Sequence, residues 1–497
     1  MIGTLKAVRV SSGLSLIRIF MSRLTWLWML AGPACLLLLT VWPIPGLSNT
    51  ASLLCGITGW MVIWWISEAV PIPVTSLLPM LLFPLFGISS AEVATSPYAH
   101  PLIFMFFGGF CLSIALEKTG LHQQIAVRAL RHVGGAPAKQ LAALMAITAF
   151  LSMWMSNTAT AVMMLPIALS VVAVAPLQQQ KVLAPALLLG VAYASSIGGI
   201  ATLIGTPPNA LLAAFLEKTY QIKLGFGQWM LLGVPLALSM LLVCWFWLGR
   251  VYFRLHLLTP VIQHVPDNAS AVTRPQRLVA VIFLVTALCW IFQPLLSQWS
   301  GLALSDTVIA LSAAMLLFLL PVQHPLAESL AAETAPSRVQ PVLNWQDSEK
   351  LPWGVLLLFG GGLSLAGQLQ QHGVSDALAQ WFQGLHGVPA LLVIAAVALL
   401  IVFLTELTSN TAVAAAFLPI LGPVALSLDL SPLYLLVPAA LAASLGFMMP
   451  VGTPPNAIVF ASGQLNIRDM IKAGVVLNFA GVLLITLWCQ LVLPFWL

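Results

Sequence analysis

Long apolar runs, broken at intervals by proline, glycine and charge, organise this chain from residue 26 onward. Most are about 16 to 22 residues long, the length a helix needs to cross a bilayer and about twice that of a barrel strand. Eleven read as full spans: 26–42, 52–68, 73–88, 101–117, 182–203, 229–250, 278–292, 304–321, 353–367, 432–450 and 471–494. Two further apolar regions, 140–175 and 390–428, are interrupted near the middle by the polar triplets Ser156-Asn157-Thr158 and Ser409-Asn410-Thr411. Each is expected to enter the membrane, turn at its triplet and leave by the same side, as a re-entrant hairpin. That path puts the N-terminus in the cytoplasm and the C-terminus outside.

Composition supports a membrane reading and excludes others. Only 7% of the residues are charged and 60% are hydrophobic, whereas soluble domains are about a quarter charged. The mean hydropathy is +1.01. A soluble enzyme, a nucleic-acid binder and a disordered scaffold are therefore excluded, and an all-α polytopic membrane protein is expected. The six cysteines lie in or beside apolar runs without CxxC spacing, so neither disulfides nor zinc are indicated.

Charge tests the path independently. With two re-entrant hairpins, 17 of the 19 basic residues face the cytoplasm and only Lys218 and Lys223 fall outside, as the positive-inside rule requires. Counting either hairpin as a crossing flips every later loop and destroys the bias. A C-terminal alkaline phosphatase fusion is accordingly expected to be active and a green fluorescent protein fusion dark. The reverse pair would overturn the path. The resulting organisation is a basic cytoplasmic leader (1–25, with no cleavage pattern), a first helix and first repeat (26–254), a cytoplasmic linker (255–277) and a second repeat (278–497). A second polar loop covers 322–351. Asn268-Ala269-Ser270 is a glycosylation sequon in form only, since its loop is cytoplasmic on this path.

The halves repeat. Phe107-Gly108-Gly109 matches Phe359-Gly360-Gly361, MSNTATAVMMLPIA at 155–168 matches TSNTAVAAAFLPIL at 408–421, and GTPPNA recurs at 205–210 and 452–457. The offsets are 252, 253 and 247 residues, with the order kept. Five spans lie between the hairpins, so the halves run in opposite orientation, the inverted-repeat plan of secondary transporters.

No basic residue is near either triplet and the nearest acid is Glu406, so a ligand held at the tips would meet neutral donors. At each tip a new helix is expected to start at Ala159 or Ala412, aiming its free N–H groups and positive dipole end at the turn. Asn157 and Asn410 add amides, and Thr158 and Thr411 add hydroxyl groups. For one triplet alone, ordinary N-capping is the better explanation. Two identical triplets, each tied to GTPPNA in an inverted repeat, favour a two-sided anion clamp. The paired prolines, Pro207-Pro208 and Pro454-Pro455, should unwind their helices and free carbonyl oxygens, the ligand type of hard cations. Glu68, Glu117 and Glu406 read as snorkelling or loop acids rather than a proton relay, and the eight histidines show no ligand pairing.

Paired SNT triplets, each followed by TPPN, together with WWISEAVPIPVTSLLP at 64–79, resemble the divalent anion:sodium symporter (DASS) family over roughly residues 50–490. The resemblance implies a homodimer of scaffold and transport domains, working by an elevator-type alternating-access mechanism in a bacterial cytoplasmic membrane. It implies one sodium ion at Ser152, Ser156, Asn157 and Gly205, and a second at Thr405, Ser409, Asn410 and Gly452. The substrate would meet Ser156, Asn157, Thr158, Thr206 and Pro207 from one half, and Ser409, Asn410, Thr411, Thr453 and Pro454 from the other. Symport of Na⁺ with C4-dicarboxylates such as succinate, fumarate and malate is the leading expectation. Sodium-independent exchange of di- or tricarboxylates and sodium:sulfate symport are the alternatives. No HExxH, GxSxG or paired-Asp arrangement supports an intramembrane enzyme.

Overall fold

A computed structural model of the chain describes residues 8–131, 133–260, 272–323, 339–381 and 387–495. Lys6, the sequon Asn268-Ala269-Ser270 and Arg338 lie outside the described residues. The apolar runs become helices, among them Asn49–Ser67, Pro101–Thr119, Phe226–Phe246, Arg274–Ile291, Trp353–Gln371 and Ile467–Val492. Among the described residues, seven helical stretches are long and apolar enough to cross a membrane, accompanied by apolar helices of 10–17 residues.

Several elements depart from the sequence expectation for identifiable reasons. The first helix spans Val8–Val41 and so begins inside the stretch read as a leader. The run 73–88 is two short helices, Ile72–Thr75 and Leu78–Leu85, with Pro79 in the first turn of the second, a favoured place for proline. The run 432–450 stops as a helix at Ala442, and a new helix, Pro454–Ala461, follows an irregular stretch. The two strands Pro321–Gln323 and Val339–Pro341 pair antiparallel, with Val322 opposite Gln340, a small β-ribbon in an otherwise helical protein.

The regions containing the triplets are helix pairs. Pro137–Ser152 is followed by Asn157–Ala173, and Ala390–Thr405 by Asn410–Ser427. The second helix of each pair starts at the triplet asparagine, two residues before the expected alanine. Ser156 and Ser409 adopt the extended N-cap conformation, so helical geometry begins one residue later.

Two broken helices form the centre. The first is Leu177–Gly199 followed by Pro207–Tyr220, and the second is Leu433–Ala442 followed by Pro454–Ala461. Every residue from Leu183 to Gly199 is buried, as expected for a helix that is apolar all round. Lipid supplies no hydrophobic drive for helix association, so close packing by small residues must. Gly198 accordingly lies against the Ala149 carbonyl, Gly361 against the Ser76 carbonyl and Gly108 against the Ala310 backbone, leaving no room for a Cβ. The glycine pairs of the repeat are thus contact surfaces.

The repeats interlock. The Tyr193 ring meets Phe447 edge-on at 5.0 Å, and its hydroxyl group reaches the Met470 carbonyl at 3.5 Å. Helix Pro207–Tyr220 packs on Asn410–Ser427, and Pro454–Ala461 packs on Asn157–Ala173. Each half therefore supports the other half's triplet.

Candidate functional site

At the first triplet, the Ser152 hydroxyl lies 2.7 Å from Asn157 Oδ1 and 2.7 Å from the Ser195 carbonyl oxygen. The second repeats this: Thr405 Oγ1 lies 2.5 Å from Asn410 Oδ1 and 2.9 Å from the Ala443 carbonyl oxygen. In each cluster three oxygens share a single hydroxyl proton, which can be donated to only one neighbour. The acceptor left over suits a small hard cation, which takes oxygen ligands. Ser152 and Thr405 are fully buried. Each ends its helix, and the four-residue reversal that follows brings it beside its asparagine.

Turning Oδ1 back onto the hydroxyl leaves the amide Nδ2 of Asn157 and Asn410 as the donor available to an anion. Ser156 and Thr158 are exposed, while Asn157, Ser409, Asn410 and Thr411 are half-buried. The Ser156 hydroxyl accepts from Ala159 N at 3.2 Å, so it does cap the helix. Ser409 makes no such bond.

The TPPN segments work differently from the sequence expectation. Pro207 and Pro454 occupy the first position of new helices, where a missing N–H costs nothing. Several of the carbonyl oxygens expected to be freed lie against the motif's own asparagine. Asn209 Nδ2 faces the carbonyls of Gly199 (3.2 Å), Ile200 (3.4 Å) and Thr202 (2.8 Å). Asn456 Nδ2 faces those of Gly446 (3.1 Å) and Met449 (3.0 Å). Both asparagines are fully buried, and their amides satisfy backbone that unwinding would strand.

Gly205 and Gly452 sit where no side chain fits. Gly205 backs onto the Gly199 carbonyl, and a Cβ on Gly199 would come within 2.5 Å of Asn157 Oδ1. This places Gly205 one layer behind the first oxygen cluster. A Cβ on Gly452 would meet Glu406 Oε2 at 2.8 Å. Thr206 and Thr453, expected to face the substrate, are only 3% and 2% exposed. Thr206 Oγ1 lies 3.4 Å from Ser444 Oγ, and Thr453 Oγ1 accepts from Asn456 N at 3.4 Å. In this structure they brace the unwound segments; Pro207 is half-buried and Pro454 exposed beside them.

Sequence reasoning passed over the Ser195 and Ala443 carbonyls, which nothing in a side-chain pattern marks. It also passed over Asn209 and Asn456, although both stand in the repeated motif. Among the described residues no group of three His, Cys, Asp or Glu could hold a metal ion. A cavity of about 730 Å³ runs along the Asn157–Ala173 helix, from Met155 and Ala159 beside the tip to Pro166 and Ile167, facing Glu117 and His122.

The chain is 34% identical to the sodium-dependent dicarboxylate transporter SdcS of Staphylococcus saprophyticus, over 90% of this chain and 87% of that one. It is 36% identical to SdcS of Staphylococcus aureus strain USA300, over 88% of this chain and 85% of that one. Among solved structures, the YdaH transporter of Alcanivorax borkumensis shares the fold, with a TM-score of 0.52 at 14% identity, covering 83% of this chain and 88% of that one. The family model described as the sodium:sulfate symporter transmembrane region matches residues 24–496. The chain belongs to this family of membrane transporters.

Proposed function

We propose that this protein imports C4-dicarboxylate dianions together with sodium ions, by alternating access of an elevator type. The observation that carries the reading is the pair of repeat-related oxygen clusters, each one proton short and each directly beneath a helix N-terminus. Cations bound there would sit behind the two tips and offset the charge of an anion held in front of them. The anion meets neutral donors: the amides of Asn157 and Asn410, the hydroxyl groups of Ser156, Thr158, Ser409 and Thr411, and the free N–H groups of two helix ends. Two matched sets of donors suit a molecule with a carboxylate at each end. The names of the SdcS relatives agree with sodium and with a dicarboxylate.

The elevator element rests on the interlocked packing of both helix pairs with both broken helices. The cavity separates the first pair from Glu117 and His122, giving a surface along which one body could slide past another. A homodimer formed through the rest of the chain belongs to the same reading.

Sulfate symport is the second reading, favoured by the family's description. Competition in proteoliposomes decides between them. Fumarate and malate are expected to block labelled succinate uptake strongly, and monocarboxylates hardly at all. Inhibition by sulfate or citrate at lower concentration than by succinate itself would overturn the C4 assignment. Uptake that needs internal anion, with no need for a sodium gradient, would replace symport by exchange.

A further inference from the structure

The two halves are not braced alike. In the first, the Thr202 hydroxyl donates to the Met153 carbonyl (2.5 Å) and accepts from Gly205 N (3.1 Å), tying the unwound segment to the tip without charge. The residue 253 positions after Met153 is Glu406. Its side chain is 3% exposed and accepts four hydrogen bonds. Oε1 takes Phe447 N (2.7 Å), Met448 N (2.8 Å) and Asn478 Nδ2 (2.6 Å), and Oε2 takes Met449 N (2.8 Å). Three consecutive backbone N–H groups of the second unwound segment thus converge on one carboxylate, an anion nest filled by the protein itself.

Every one of these partners is a donor, which is the surrounding of an ionised carboxylate, since a protonated acid would need an acceptor. The donors are neutral, and neither ion pair found among the described residues, Lys118–Asp347 and Lys223–Glu217, involves Glu406. A full negative charge is therefore buried without a countercharge, an expensive arrangement unless a cation comes to it. The charge abuts Gly452 and directly follows Thr405, the hydroxyl of the second oxygen cluster.

We propose that Glu406 makes the two sodium sites unequal, so that the site at Thr405 and Asn410 fills first and more tightly than the site at Ser152 and Asn157. This rests on the sodium-coupled reading above. The first cation neutralises the carboxylate and completes the second unwound segment. The other site, built from neutral oxygens alone, fills at higher sodium. The Glu406 carboxylate and the Thr405 side chain both pack against Gly446, and a unit charge that close, at an effective dielectric of about 20, separates the two affinities by at least about tenfold.

Equilibrium binding of ²²Na⁺ to the full-length protein in lipid nanodiscs, without substrate, tests this. Wild type is expected to show two steps at least about tenfold apart. Glu406→Gln should weaken the tighter step by a similar factor and leave the weaker one in place. Thr405→Ala should move only the tighter step, and Ser152→Ala only the weaker. Glu406→Asp keeps the charge and should keep the steps apart, which carries the test if the Gln variant does not fold. A single step in wild type, a Gln variant that moves both steps equally or neither, or an Asp variant whose steps merge would each overturn the inequality. Absence of any sodium binding in wild type would instead overturn the sodium-coupled reading itself.

Discussion

Asn157→Ala and Asn410→Ala are each expected to abolish sodium-driven uptake while the protein still expresses and folds. Each asparagine links the two kinds of ligand. Its Oδ1 belongs to an oxygen cluster with Ser152 or Thr405, and its Nδ2 is the donor left for the anion. A hydrogen bond to a charged group is worth about 1.5–3 kcal/mol. Losing it together with a cation ligand should lower transport at least about 100-fold. Folding should survive because both side chains are only half-buried and stand at helix starts. Initial rates of labelled succinate uptake into proteoliposomes, beside the yield of monodisperse protein, measure the two effects separately. Transport near the wild-type rate in either variant would remove the clamp.

The second large effect is on sodium. Uptake should require sodium and not a proton gradient, with a sigmoidal dependence reporting more than one Na⁺ per anion. Ser152→Ala should raise the half-saturating sodium concentration about tenfold, the cost of one lost oxygen ligand, and Thr405→Ala should raise it by less, because its site is the tighter of the two. Both deletions also leave a buried carbonyl oxygen, of Ser195 or of Ala443, without its hydroxyl partner. Thr405→Ser keeps the oxygen and should restore the wild-type value, which separates ligation from packing. Equal uptake in choline and sodium buffers, driven by a pH gradient, would sink the coupling.

Much of the architecture was legible because the bilayer restricts what a chain can do. Backbone polar groups in lipid must be satisfied within helices, so apolar run length locates most spans, and the glycines and prolines locate the breaks. The triplets and GTPPNA segments stood out because each appears twice, 247 to 253 residues apart. That duplication turned an ordinary capping signal into a candidate site, and the structure places Ser152 beside Asn157 and Thr405 beside Asn410. Within the run 73–88, which remains one apolar stretch at Ile72–Leu85, hydropathy does not register where the helix restarts.

The sequence by itself determined that this is a helical membrane protein, that its halves repeat, that each half carries one polar turn and one broken helix, and which family it resembles. Those features depend on local composition and spacing, which one dimension records in full. Only the tertiary structure decided what the unwound segments do with their polar groups. Carbonyls that a linear reading leaves free for ions are held by Asn209 and Asn456, while the Ser195 and Ala443 carbonyls, inside a central helix and at the end of another, join the oxygen clusters. Glu406, which reads as a loop acid, closes onto backbone 41 to 43 residues away and onto Asn478 a further 29 residues along. A hydrogen bond depends on where chain segments meet in space, and for backbone groups the side-chain sequence carries no mark of that meeting.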